Sequence, residues 1–210
     1  FEDQLDELKK QGFLNLHLCL GLGHKEIIKL INKKYKNDFN ISYTIEDRPM
    51  GTYGALYNAK DFLDKKCFVL FGDIIFNFDI MSGFKSFKSD VLLVTRYTDH
   101  PKDSDIVIED RNNFRGFKRD KDLTYPYKPL GNTGLFFIKK NKLFESKSSK
   151  SDIFKDYLTN NSSSLNIQTT LSTNYIKDVG TTKRYKETQK DIDVKLKEKE
   201  NVFFIDRDET

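Results

Sequence analysis

A chain of 210 residues is long enough to bury one continuous core without disulfide staples and too short for two full-sized domains. Charged residues make up 32% and hydrophobic ones 37%, with 18 Phe and 10 Tyr, which excludes the disordered class. Thirty-six Lys and Arg against 32 Asp and Glu give a formal charge of +4 mixed along the chain, which suits a site for an anionic small molecule better than a nucleic-acid surface, where a denser basic patch is needed.

The chain opens in FEDQLDELKKQGF, where Phe1, Leu5 and Leu8 recur at helical spacing and Gly12 supplies a stop. LNLHLCLG (14–21) reads as a strand delivering Gly21 and Gly23, and HKEIIKLINKKY (24–35) as an amphipathic helix with Ile27, Ile28, Leu30 and Ile31 inward. FNISYTIE (39–46) alternates like a strand, TYGALYNAKDFL (52–63) carries Leu56, Ala59 and Leu63 on one helical face, and CFVLFGD (67–73) is a short apolar run of the kind covered on both faces. Strands and helices alternating at this pace predict an α/β sheet with parallel pairing and crossover helices.

The second half changes rhythm. DVLLVTRY (90–97), DIVIED (105–110), FRGFKR (114–119) and GLFFIKK (134–140) are strand-like, DRNN (110–113) is a turn, and no helix-sized interval precedes the last strand. A hairpin or antiparallel insertion on an otherwise parallel sheet follows from that spacing. SDIFKDYL (151–158) restores a helix with Ser151 as its cap. NNSSSLN (160–166) is a surface loop, IQTTLS (167–172) an edge-like strand, YIKDVG (175–180) a short strand, and 181–200 a highly charged helix that serves either as an exposed linker or as a packed element. Cys19 and Cys67 each sit inside an apolar run and are expected to be free buried thiols. No apolar stretch approaches the ~20 residues that span a bilayer, and no basic-then-apolar leader is present, so the cytoplasm is the expected location.

Chemistry is concentrated at three places. LFGDIIF (70–76) puts Asp73 at the carboxyl end of a strand, where open α/β sheets bind ligands, although a lone strand-end Asp serves equally well as a cap or turn former. YIKDVGTT (175–182) repeats the transition from apolar run to Asp to Gly; if Asp73 and Asp178 converge, two carboxylates could share one Mg²⁺, a hard cation that takes oxygen ligands and substrate phosphates. PMGTYGAL (49–56) is a tight turn before a helix whose backbone groups could clasp an anion or a base edge, or form an ordinary turn capped by Thr52. GNTGLFF (131–137) sets Asn132 and Thr133 beside two glycines, as a ligand wall or a plain turn. His17, His24 and His100 have no zinc-site spacing.

The order of these motifs resembles that of the sugar-1-phosphate nucleotidyltransferases, in particular the heptose 1-phosphate and mannose 1-phosphate guanylyltransferase-like members. YTIEDRPMGTYGAL is similar to their Y-x-x-E-x-x-P-L-G-T-x-G-A segment, LFGDIIFNFDI to G-D-x-x-F-D, YIKDVGTTKRY to D-I-G-T-P-x-x-Y, and HPKDSD (100–105) to the H-P-x-D-S-D stretch of the heptose branch. The resemblance spans roughly residues 1–190. It implies a Rossmann-like nucleotide-diphospho-sugar transferase fold: a mostly parallel mixed sheet with an antiparallel insertion, its N-terminal strand missing. The implied reaction is attack of a sugar 1-phosphate, heptose 1-phosphate by this resemblance, on the α-phosphorus of a nucleoside triphosphate, GTP by the same resemblance. Asp73 and Asp178 would bind Mg²⁺ and serve catalysis, Glu46, Pro49, Gly51 and Thr52 would form the nucleotide turn, and Lys118, Arg119, Asn132 and Gly134 would border the sugar phosphate, with Lys128 as a further candidate cation.

The chain also departs from the pattern. The family's G-G-x-G-T-R phosphate loop is absent, so near-background turnover is expected from these residues alone; Tyr53 replaces a small residue and Thr182 a proline. NVFFIDRDET (201–210) resembles the first motif of haloacid-dehalogenase-like phosphatases, with Asp206 and Asp208 matching and Glu209 departing at a glycine. The expected organisation is therefore a nucleotidyltransferase-like domain over 1–190, a linker or helix end over 191–200, and the start of a second, phosphatase-like domain over 201–210, the parent being bifunctional. The expected partners are a nucleoside triphosphate and a sugar 1-phosphate, with no nucleic acid or membrane and with homo-oligomerisation open. A glycosyltransferase of the same fold and a non-catalytic scaffolding subunit are the alternatives.

Overall fold

The computed structural model describes residues 1–98, 100–118, 128–143 and 151–198, and in the last helix its side chains as far as Asp191. In chain order the elements are α1 (Glu2–Lys10), β1 (Asn15–Leu20), α2 (His24–Lys34), β2 (Asn40–Ile45), α3 (Gly51–Asn58), β3 (Lys66–Leu70), β4 (Ile74–Phe76), α4 (Ile80–Ser86), β5 (Val91–Tyr97), β6 (Ile106–Asp110), β7 (Asn113–Lys118), β8 (Leu130–Lys139), a π-helix at Ile153–Leu158, β9 (Ile167–Leu171), β10 (Ile176–Asp178) and α5 (Thr182–Glu198).

The main sheet runs β3-β8-β5-β9-β7-β6. β8 lies antiparallel between β3 and β5, while β5 and β9 are parallel, so β3, β5 and β9 share one direction and the antiparallel insertion sits inside the sheet. β6 and β7 form a hairpin whose turn residues Arg111 and Asn112 have φ of 51° and 64°; two consecutive left-handed residues give the turn the twist that paired strands require. β1 and β2 pair in parallel as a separate ribbon. β9, read as edge-like, pairs with β5 along its length and reaches β7 only at Asn113–Gln168.

Side-chain alternation along the strands builds a core on each face of the sheet. Leu135 and Phe137 of β8, with Leu92 and Val94 of β5, join Leu5, Leu8 and Ile80 in one cluster. Phe136 and Ile138, with Val91 and Leu93, join Tyr53, Leu56, Ile153, Phe154 and Leu158 in the other. Burial on both faces explains why these strands read as continuous apolar runs. Phe137 is the hub of the first cluster, with the rings of Phe84, Phe68 and Phe87 at 4.9, 5.0 and 5.8 Å. Helix α4 packs so closely there that a Cβ on Gly83 would lie 2.2 Å from Phe137 Cζ.

Two local expectations need correction, and one open alternative is resolved. Ser151 is not the cap of the following helix: Asp152 is, its Oδ1 accepting from both Phe154 N and Lys155 N at 2.9 Å, because it stands directly before the first helical residue, Ile153, and Ser151 lies one position too far out. Cys19 is free as expected but exposed, and Cys67 is half-buried, since both lie on strands with only one well-covered face. Helix α5 is docked over its first half: Lys177 bonds Asp191 at 3.1 Å, Tyr175 Oη donates to Asp191 at 2.8 Å, and Thr188 is fully buried. Among the described residues no helix is long and apolar enough to cross a membrane.

Candidate active site

The polypeptide leaves β3 at Leu70, turns through Phe71–Gly72–Asp73 and enters β4, with Ile74 N donating to Phe71 O at 3.2 Å. This turn is pinned from below by Gln4 of α1, a buried side chain whose Nε2 donates to Phe71 O and to Ile74 O, both at 2.8 Å. Gln11 repeats the device one step on, donating to Phe78 O and accepting from Ile80 N. Two glutamines seven positions apart on one helix face thus fix the segment that carries Asp73.

β10 pairs antiparallel with β4, setting Asp178 opposite Ile74, and Val179 N donates to Asp73 O at 2.7 Å. The ladder brings Asp73 and Asp178 together. Their oxygens converge on the space above Gly180: a Cβ at that residue would lie 2.9 Å from Asp73 Oδ2 and 3.0 Å from Asp178 Oδ1. Glycine keeps the space between the two carboxylates open. Partial burial and then the neighbouring Asp178 charge push the Asp73 carboxyl above its ordinary pKa, with its own backbone N–H and Arg184 opposing. Asp178 accepts from Gly180 N at 2.6 Å through Oδ1 and from Arg184 Nη1 at 2.7 Å through Oδ2.

These carboxylates open into a cavity of 560 Å³ bordered by the ends of β4, β5, β8 and β10, a size that accommodates a drug-sized ligand. Asn132 and Gly134 lie on its wall. Asn132 N donates to Asp105 O at 2.9 Å and its Oδ1 accepts from Gly134 N, and the φ of +77° at Gly134 lets the strand bend where a side chain would meet Phe71. Thr98, His100, Ser104 and Asp105 make the facing wall, knitted by a 2.9 Å Thr98–Ser104 hydroxyl pair and by Ser104 Oγ donating to His100 O.

The 46–53 turn is built differently. Glu46 Oε2 accepts from Met50 N at 3.2 Å, ordering the turn, and Pro49 is exposed. One side of Gly51 and Thr52 is covered by the chain itself, although Gly51 is exposed on the other: Tyr53 N donates to Ser151 O, Ser151 N to Met50 O, and Ile153 N to Thr52 Oγ1 at 2.8 Å. Thr52 is thus no cap of α3 but an acceptor for the start of the π-helix. None of these four residues lines the cavity; Asp152 and Phe154, next to the covering segment, do. Lys118 lies exposed on β7 and Lys128 precedes β8, both off the cavity wall. Arg119, Asp206 and Asp208 lie outside the described residues.

Among the described residues the cations on the wall are Arg96, Lys177 and Arg184, none of which the sequence patterns single out. HPKDSD was the one available signal for the facing wall, through its resemblance, without roles for its residues. No cluster of three or more His, Cys, Asp or Glu side chains is found among the described residues. The donor set is nevertheless of the type Mg²⁺ uses, two carboxylates with remaining positions left to water and phosphate, and the space Gly180 leaves open between the carboxylates is where such an ion fits.

No family model matches the chain. It is 25% identical over 182 residues to D-glycero-alpha-D-manno-heptose 1-phosphate guanylyltransferase of Campylobacter jejuni, covering 85% of this chain and 79% of that protein. The enzyme of the same name from Aneurinibacillus thermoaerophilus is 27% identical over 192 residues, 88% of this chain and 81% of the relative. Among solved structures, HddC from Yersinia pseudotuberculosis superposes with a TM-score of 0.80 at 20% identity, over 91% of this chain and 85% of that one. A Bacillus anthracis structure described as a putative glucose-1-phosphate thymidylyltransferase superposes at 0.75 and 16% identity, over 90% and 80%. The strand order, the placement of the cavity at strand ends and these superpositions together establish the architecture: an α/β, Rossmann-like fold of the nucleotide-diphospho-sugar transferase kind.

Proposed function

We propose that the protein is a sugar-1-phosphate nucleotidyltransferase that joins GMP from GTP to a heptose 1-phosphate, with release of pyrophosphate. The observation that carries this reading is the convergence of Asp73 and Asp178 on one open space at the rim of a strand-end cavity. Such a pair suits a reaction with no obligatory protein nucleophile, in which placement and charge neutralisation supply most of the acceleration. The two relatives named above, both heptose 1-phosphate guanylyltransferases, favour guanine and heptose over other bases and sugars.

In this reading an oxygen of the sugar phosphate bonds to the α-phosphorus as the bond from that phosphorus to the pyrophosphate oxygen breaks, and pyrophosphate leaves with the electron pair. Asp73 and Asp178 would hold Mg²⁺, which supplies neutralisation of phosphate charge when bound. Gln4 keeps the Asp73 turn from shifting and Gly180 keeps the space between the carboxylates free. Asn132 and Gly134 border the sugar phosphate. The turn ordered by Glu46, with Pro49, Gly51 and Thr52, is closed by Ser151 and Ile153 and supports the cavity wall through the neighbouring Asp152.

A pyrophosphate-release assay tests the reading. GTP, ATP, CTP and UTP are each offered with heptose 1-phosphate and with mannose 1-phosphate. In a form of the protein supplied with the phosphate loop these residues lack, the expected result is fastest release with GTP and heptose 1-phosphate; preference for a pyrimidine nucleotide contradicts the guanylyl assignment, and no release with any pair contradicts the reaction class.

A further inference from the structure

Three cations face the cavity among the described residues, and their engagement differs. Arg96 donates through Nη1 to Ile176 O, tying β5 to β10. Lys177 is held by Asp191 at 3.1 Å and Glu187 at 3.7 Å on helix α5. Arg184 makes a single side-chain hydrogen bond, from Nη1 to Asp178 Oδ2 at 2.7 Å. Its Nη2 lies 3.9 Å from Asp103 Oδ2, beyond hydrogen-bonding distance, and the Asp103 side chain is 69% exposed.

A guanidinium presents five N–H donors in a rigid fork. Four of Arg184's five have no hydrogen-bond partner among the described residues, although the side chain is only 28% exposed. It stands in the first turn of α5, where the helix dipole adds positive potential. Such a group is prepared for a phosphate, which matches the fork with two parallel bonds.

Its one bond falls on a carboxylate that the proposed reaction needs. With Gly180 N on Oδ1 and Arg184 on Oδ2, both oxygens of Asp178 are engaged. We propose that Arg184 is an exchangeable counter-ion: it neutralises Asp178 while the cavity is empty, yields Oδ2 to a divalent cation, and then takes up a phosphate monoester on the same wall. Cation and phosphate therefore bind cooperatively through one side chain. This rests on the metal assignment made under Proposed function and adds to it a positioning residue that couples the two ligands.

The test measures Mn²⁺ affinity of the full chain by electron paramagnetic resonance, with Mn²⁺ alone and with added mannose 1-phosphate or GMP as the two phosphate probes. Arg184→Gln is expected to bind Mn²⁺ alone roughly three- to tenfold tighter than wild type, since a partly exposed ion pair competes only modestly. The same variant is expected to lose at least threefold of the tightening that a phosphate probe produces in the wild type. The probe whose effect is lost identifies the sugar or the nucleotide phosphate as the one Arg184 holds. Arg184→Lys, which keeps the charge without the fork, should retain part of the effect and guards against misfolding of the glutamine variant. Asp73→Asn separates the two readings. If Mn²⁺ binding survives unchanged in Asp73→Asn, or is absent from wild type and Arg184→Gln alike, the metal assignment falls and the exchange with it. If binding depends on Asp73 while Arg184→Gln alters neither Mn²⁺ affinity nor phosphate coupling, the metal assignment stands and the exchange is wrong.

Discussion

The Asp73–Asp178 pair and the Gly51–Tyr53 turn are both polar features beside glycines, yet their groups are spent differently. In the first, hydrogen bonds secure the backbone around the carboxylates, through Gln4 and Val179, while Asp73 Oδ2 and Asp178 Oδ1 border the space above Gly180 and the Asp178 oxygens are held, among the described residues, only by Gly180 N and Arg184. In the second, the polar groups themselves are consumed, by Ser151 and Ile153 of the same chain. A built site holds its scaffold tightly and leaves its reactive oxygens to exchangeable partners; a structural junction spends most of its polar groups on itself, the buried Ser151 hydroxyl excepted. Substitutions at the first region should therefore cost activity, and at the second, stability.

The largest expected effects are at the carboxylates. Asp73→Asn and Asp178→Asn should each lower pyrophosphate release on the order of 100-fold or more, with circular dichroism unchanged. Gly180→Ala should lower it at least about tenfold, because its methyl group would sit 2.9 Å from Asp73 Oδ2 and 3.0 Å from Asp178 Oδ1. Full activity in Gly180→Ala would show that the space between the carboxylates is not used.

Gly51→Ala should be the most destabilising change at the turn. Its φ of +75° penalises any side chain, and the new Cβ would lie 2.5 Å from Ser151 O. We expect a loss of about 1–3 kcal/mol in urea unfolding. Gln4→Leu belongs to the scaffold of the first region and should cost a similar ~1–3 kcal/mol, because the buried carbonyls of Phe71 and Ile74 lose their donor; unlike Gly51→Ala, it should also slow pyrophosphate release by freeing the Asp73 turn.

Thr52→Val removes the acceptor for Ile153 N and should cost about 1 kcal/mol. A fall in GTP affinity with no change in stability would instead place the Thr52 hydroxyl on the nucleotide.

The smallest effect is electrostatic. The Asp73 carboxyl has its pKa raised by partial burial and by Asp178, so between its ordinary pKa and the raised one the folded state binds more protons than the unfolded. Stability then falls as pH rises through that window. Asp73→Asn, which carries no charge, should raise Tm by a few degrees at most at pH 7, solvent screening keeping the gain small, and by nothing below about pH 4. An equal gain at both pH values would mean that the charge is not responsible.

Much of this was legible in the residues. The runs 91–94 and 135–138 are apolar at every position because β5 and β8 bury both faces there, and Asp73 and Asp178 are marked by the same apolar-to-Asp transition. Pairing was less legible: nothing in GLFFIKK says that β8 slots between β3 and β5, since that depends on long-range register. Arg184 and Gln4 were invisible because a single Arg or Gln on a helix carries no signal until the fold sets its partner opposite. The covering of Gly51 by Ser151 joins residues 100 positions apart and has no local trace.

The central claim is that the space above Gly180 is the reaction's cation site. Crystals grown with Mn²⁺ and a bound GDP-sugar, measured at the manganese absorption edge, test it directly. The account predicts an anomalous peak within coordination distance of both Asp73 and Asp178, beside the diphosphate; an ordered GDP-sugar with the peak elsewhere, or with none, would contradict it.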